Sequence, residues 1–127
     1  MKLTLIVLFA LLLVSLCTLG RAHLPELNDE NSEASKWADR QRDLLDNGCC
    51  GRGEAHMLED NQWRTKGGDY EVYVADEWRR ISRTMLLLRA AEDPNVTGRA
   101  VVWYAYDRVE GGLGGVRIYC FAPGWSA

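Results

Sequence analysis

Asn47-Gly48-Cys49-Cys50-Gly51-Arg52-Gly53-Glu54-Ala55-His56 is the stretch on which the fold turns. Asn-Gly stops a helix, because both residues accept the left-handed backbone that ends one. Glycines flank the cysteine pair and make a loop of it. Beyond the loop the chain takes on the alternation of strands. The same stretch holds two of the four cysteines and one of the two histidines.

Upstream, Ala34, Trp37, Ala38, Gln41, Leu44 and Leu45 recur at helical spacing. Ser32 or Asn31 can cap the first amides, and Asp29, Glu30 and Glu33 suit the positive end of the helix dipole. The pattern predicts an amphipathic helix over residues 32–46, anchored by Trp37. Downstream, Gln62-Trp63-Arg64-Thr65, Tyr70-Glu71-Val72-Tyr73-Val74 and Trp78-Arg79-Arg80-Ile81 read as short strands. Lys66-Gly67-Gly68-Asp69 and Ala75-Asp76-Glu77 read as the turns between them. Residues 84–89 fit a buried strand or a helical turn equally well. Ala100-Val101-Val102-Trp103-Tyr104-Ala105-Tyr106 is the strongest strand. Its antiparallel partner is Val116-Arg117-Ile118-Tyr119-Cys120-Phe121, across the loop Glu110-Gly111-Gly112-Leu113-Gly114-Gly115. Strict alternation puts Val116, Ile118 and Cys120 on one face, with Cys120 inward. The implied class is α+β: one N-terminal amphipathic helix packed on a small antiparallel β-sheet or open barrel.

The chain begins with a short basic start, Met1-Lys2, an apolar run over residues 3–19, and then Gly20-Arg21-Ala22. That order matches a secretory signal peptide over residues 1–22, cut after Ala22. A flexible arm over residues 23–31 and a single α+β domain over residues 32–127 follow. The whole chain carries a formal charge of −3, and losing Lys2 and Arg21 takes the remainder to −5. No basic tract is left, which argues against nucleic acid and against anionic membrane surfaces as partners. The expected location is periplasmic or secreted.

After cleavage Cys49, Cys50 and Cys120 remain. Export exposes them to an oxidising compartment, and three cysteines cannot all pair within one chain. Cys49 and Cys50 are adjacent and poorly placed to bond each other. One of them is expected to pair with Cys120, leaving the other as an odd thiol.

Cys49-Cys50-Gly51, Gly53-Glu54-Ala55, Trp63, Tyr70, Val72, Glu77-Trp78, Asn95, Thr97-Gly98-Arg99-Ala100-Val101-Val102 and Ile118-Tyr119-Cys120-Phe121 before Pro123 stand in an order that resembles a group of small exported proteins of Gram-negative bacteria. The resemblance spans residues 48–123. It implies export and a small β-rich domain, and it implies no activity. Many members carry aspartate at the position of Glu54, and some carry a further cysteine near Ala55. This chain lacks that cysteine, so the pairing of Cys49 and Cys50 stays open.

Five kinds of chemistry are worth weighing. A new N-terminus at His23, its imidazole and His56 would offer three nitrogens to copper, with Glu54, Met57 and the odd thiol near His56 in sequence. The plainer reading leaves His23 in the arm and His56 as a partly exposed strand residue. Thiol exchange at Cys49-Cys50, helped by Arg52, competes with a structural bridge. The bridge is favoured, because exchange motifs space their cysteines by two residues. Ser32, Ser35, Ser82 and Ser126 lack a nucleophile-elbow context. Asn95-Val96-Thr97 matches a glycosylation acceptor but in a bacterial chain reads as a polar turn. Finally, if Trp103 points inward, Tyr104 and Tyr106 point outward. Trp103, Tyr104, Tyr106 and Glu54 of the cysteine loop are then the candidate binding residues for a protein, peptide or sugar. The competing reading is that the helix, through Trp37, covers that face.

The reading adopted is a non-enzymatic binding or interaction module. A copper-binding or thiol-redox protein is the alternative.

Overall fold

The computed structural model describes residues 27–125, apart from the Leu113 side chain. The expected signal peptide, residues 23–26 of the arm, and His23 lie outside the described residues.

Helix α1 spans Glu33–Asp39. Ser32 caps it, its hydroxyl accepting from the Ser35 amide at 3.0 Å, and Glu33 sits at the positive end of the dipole. The long amphipathic helix expected over residues 32–46 does not form; α1 has seven residues. Asp43 is the reason. Its carboxylate accepts from the amides of Leu45 and Asn47, both at 2.9 Å, and so folds the chain back on itself. Asp46 takes a left-handed φ of 64°, Arg42 bridges to Gly48, and the Cys49 amide donates to the Gln41 carbonyl at 3.1 Å. Leu44 and Leu45, counted on the helical stripe, are therefore exposed tips of a turn. Leu27 is buried, and its carbonyl accepts from the Ser35 hydroxyl at 2.6 Å.

The strands make two open three-stranded antiparallel sheets, not the single sheet or barrel of the sequence reading. The first contains β1 (Ala55–Met57), β5 (Val101–Val109) and β6 (Gly112–Ala122), in the order β1-β5-β6. The second contains β2 (Trp63–Lys66), β3 (Asp69–Val74) and β4 (Glu77–Arg80), in sequence order. Gly67 and Gly68, both at positive φ, close the β2–β3 hairpin without a Cβ penalty. Ala75 and Asp76 close β3–β4 in the same backbone region, though each carries a Cβ.

The first sheet is the middle layer. On one face lies α1, with Trp37, Ala34 and Ala38 packed against Val101, Trp103, Cys120 and Ala122. On the other face lies the second sheet, with Val72 and Val74 packed against Val102 and Phe121. A bulge decides which residue meets which layer. Trp103 pairs with Cys120 and Tyr104 with Ile118, so Tyr119 is the extra residue. It reverses the alternation. Cys120 points inward toward α1 as expected, but Val116 and Ile118 join Phe121 on the opposite face, which corrects the shared face read from spacing.

Residues 84–89 resolve into a single tight turn, Arg83–Met85, followed by bridges from Leu86 to Phe121 and from Leu87 to Asp43. Asn95 is buried in a polar turn. Its amide donates to the carbonyls of Arg99 (2.6 Å) and Pro123 (3.4 Å), and its oxygen accepts from the Thr97 amide and hydroxyl.

Candidate functional site

The cysteine loop is a brace. Cys49 bonds Cys120, with 5.5 Å between Cα atoms, and both are buried beside Trp37 and Trp103. Cys50 is free and exposed. Its φ of 74°, followed by Gly51 at 74°, carries the chain away from the buried pair. The Asp39 carboxylate holds the loop from the far side, accepting from the Arg52 amide at 2.7 Å and its guanidinium at 3.2 Å. A reductant outside the protein meets no exposed disulfide sulfur, so the geometry suits closure of the chain more than exchange.

The expected aromatic face is split. Trp103 is fully buried, its ring 5.5 Å from that of Trp37, and a ligand has no access to it. Its place in the proposed binding set is corrected accordingly: α1 covers the Trp103 side of the sheet. Tyr104 and Tyr106 lie on the other side, where the second sheet covers Tyr104 in part and leaves Tyr106 exposed. They meet edge to face at 6.0 Å. His56, opposite Val102 in the register, stacks on Tyr104 at 4.3 Å. Glu54, in the tight turn before β1, adds its charge to this strip.

His56 is exposed overall, but stacking on Tyr104 takes part of its ring out of water, and this desolvation lowers its pKa below the ordinary histidine value, with the Glu54 charge opposing the shift only in part. Burial raises the Tyr104 pKa, and Tyr106 adds to the rise. The His56 shift has a consequence for stability. The folded state favours neutral imidazole, so the unfolded chain binds the proton more readily. This contribution is fully present above the unfolded value of about 6.5 and is lost as pH falls through the lower folded value. The expected result is an imidazole titration midpoint below that of a free histidine, read by NMR. The stability loss over the same window should be absent in His56→Gln. A His56 midpoint at or above the free value would contradict it.

Among the described residues no three side chains of His, Cys, Asp or Glu converge as a metal site would need. His23, the other half of the copper reading, lies outside the described residues.

Two surfaces were missed by the sequence reading. The first is the outer face of the second sheet. There Tyr73 and Trp78 sit opposite each other with rings 5.5 Å apart, and the Arg64 guanidinium lies 3.9 Å over the Trp78 ring. Arg64 is also held by Glu71 at 2.6 Å. The alternation of β3 was a usable signal, since Tyr73 falls in phase with Glu71 and out of phase with Val72 and Val74.

The second is a groove where the C-terminal end of β6 meets the 86–90 segment. Leu86, Leu87, Ala90, Phe121 and Trp125 line a cavity of about 420 Å³. That size falls within the range of small-molecule pockets, roughly 300–1,000 Å³. Gly124 forms part of the wall, and a Cβ there would lie 2.8 Å from the Ala100 backbone nitrogen. A smaller cavity of about 210 Å³ adjoins it, the two sharing Leu44, Tyr70 and Leu86. That one in turn shares Asp69, Ile81 and Arg83 with an open depression that also holds Arg80. No sequence signal marks these adjoining cavities, because their walls come from segments far apart in the chain.

No protein-family model, no curated protein and no solved structure matches the chain.

Proposed function

We propose that this chain is an exported, disulfide-braced binding module without chemistry of its own, whose ligand seat is the groove between Leu86, Phe121 and Trp125. The observation that carries this reading is the groove itself: a concave, mostly apolar cavity with a neighbouring mouth that holds Asp69, Arg80 and Arg83. Trp125 and Leu44 are exposed at its rim, and an occupant would cover them. Export is supported by the leader-like start, the resemblance to exported proteins and the closed Cys49–Cys120 bond. No described helix is long and apolar enough to cross a membrane.

The test is titration of the oxidised chain beginning at His23 with a neutral apolar dye, N-phenyl-1-naphthylamine, read by fluorescence. Saturable binding at one site is expected, weakened about tenfold by Leu44→Glu, a change of about 1.4 kcal/mol. Leu44 is half exposed on a turn, so a carboxylate there is compatible with the fold. Absence of saturable binding, or binding indifferent to both Leu44→Glu and Trp125→Ala, would reject the groove as a seat. Mass spectrometry of extracytoplasmic material tests the address. A start at Met1 with Cys49 and Cys120 reduced would remove the case for export.

A further inference from the structure

Resting on the reading of the groove as a ligand seat, we propose that the occupant is a single long-chain carboxylate, its hydrocarbon in the apolar cavity and its acid group at Arg83 and Arg80. Three observations converge on this chemistry.

The first is the polarity of the wall. Among the described residues Asn95 is the one side-chain amide lining the 420 Å³ cavity, and its donors and oxygen are already committed to Arg99, Pro123 and Thr97. Tyr70 and Trp125 bring one donor each, but a sugar or a peptide segment would bury several hydroxyls or amides against leucine, alanine and phenylalanine with few side-chain partners, which is costly. A hydrocarbon asks for no partners and gains from leaving water.

The second is charge. Asp69 is well covered and serves two guanidiniums: Arg80 bonds it closely, and Arg83 lies 3.8 Å away. One carboxylate offsets one of the two, so the mouth keeps a net positive charge. Both arginine side chains are largely exposed, at 73% and 82%, so an arriving anion can reach guanidinium N–H groups that Asp69 does not engage. The guanidinium fork matches the two oxygens of a carboxylate.

The third is the order of the spaces. The apolar cavity shares Leu44, Tyr70 and Leu86 with the smaller one, and that shares Asp69, Ile81 and Arg83 with the depression that holds Arg80. Such a sequence of spaces fits a thin molecule charged at one end. The main cavity, at about 420 Å³, is of small-molecule size, which favours a free acid over a two-chain lipid.

The experiment uses the disulfide-closed chain beginning at His23 and measures displacement of N-phenyl-1-naphthylamine by dodecanoate and by dodecanol. Dodecanoate is expected to bind at one site, about tenfold more tightly than the alcohol, with an advantage that shrinks as salt rises. In the double variant Arg80→Gln, Arg83→Gln the acid and the alcohol should bind equally. The comparison is made within each protein, so unfolding, which abolishes both, is not mistaken for loss of selectivity. Equal affinities in the unsubstituted chain, with no salt dependence, would overturn the proposal. So would binding to phosphatidylglycerol vesicles in preference to the monomeric acid. A ligand-free dimer that Leu44→Glu dissociates would overturn it too, because a second copy would then fill the groove. Dye binding without acid selectivity defeats this inference and leaves the groove reading standing. Failure of dye, acid and alcohol alike removes both.

Discussion

Cys120→Ala, or reduction of the Cys49–Cys120 bond, is expected to lower the unfolding free energy by about 4 kcal/mol. The bond joins residues 71 apart, and a loop of that length removes on the order of 4 kcal/mol of chain entropy from the unfolded state. A domain of this size is stable by only about 5–15 kcal/mol, so the loss is a large share of the total. In urea the midpoint should fall by roughly 2–4 M, given a slope of about 1–2 kcal/mol per molar. Burial of both sulfurs among Trp37, Trp103 and Val101 adds a kinetic expectation. Reduction of the native protein by a phosphine should proceed at the rate of unfolding, and a thiol count on the oxidised chain beginning at His23 should find Cys50 alone. Equal midpoints for the oxidised and Cys120→Ala proteins would show that the staple adds nothing to a fold already secure. Rapid reduction under native conditions would contradict the buried placement.

Trp37→Ala is expected to cost about 3–5 kcal/mol, the usual range for removing a fully buried large aromatic. Trp37 is wholly covered, and its ring meets Trp103 at 5.5 Å. It does more than fill space. Its indole N–H donates to the Asp93 carbonyl at 3.1 Å, and the Asp93 carboxylate accepts from Arg40 twice at 2.7 Å and from Gln41 at 2.9 Å. The helix is thereby fastened to the segment that leads into β5. The Arg40 hydrogen bonds hold the Asp93 carboxyl below the ordinary aspartate value, with Gln41 acting in the same direction and desolvation opposing. Trp37→Phe keeps most of the apolar contact but loses the N–H, so about 1–2 kcal/mol is expected. Chemical denaturation of the three proteins measures both steps. A Trp37→Ala cost below about 1 kcal/mol would show that α1 is dispensable to the packing of the first sheet.

The turn chemistry of Gly67-Gly68 and the alternation of residues 70–74 and 100–106 were enough to place β3 and β5 and the hairpin that leads into β3. Ser32 marked the start of α1 correctly. The end of α1 was misread because Asn47-Gly48 is a strong stop and the apolar spacing runs up to it. The earlier stop is a side-chain event: Asp43 captures the Leu45 and Asn47 amides, and the bridge from Arg42 to Gly48 holds the result. The pairing of β1 with β5 was missed because Ala55–Met57 is too short to show a period. Of the proposed binding residues, Glu54, Tyr104 and Tyr106 do gather with His56, while Trp103 belongs to the core. Nothing in Leu44, Tyr70, Leu86 or Trp125 taken singly announces a shared cavity.

Local chemistry by itself determined the α+β class and the strands bounded by turn residues. These follow from backbone sterics and period-two patterning, which act over a few residues. Tertiary structure alone decided that Cys49 is the partner and Cys50 the free thiol, that the strands split into two sheets, and that the Tyr119 bulge sends Val116 and Ile118 to the opposite face from Cys120. It alone assembled the groove. Each of these depends on contacts between segments far apart in the chain, where one extra residue in one strand reverses every side chain beyond it.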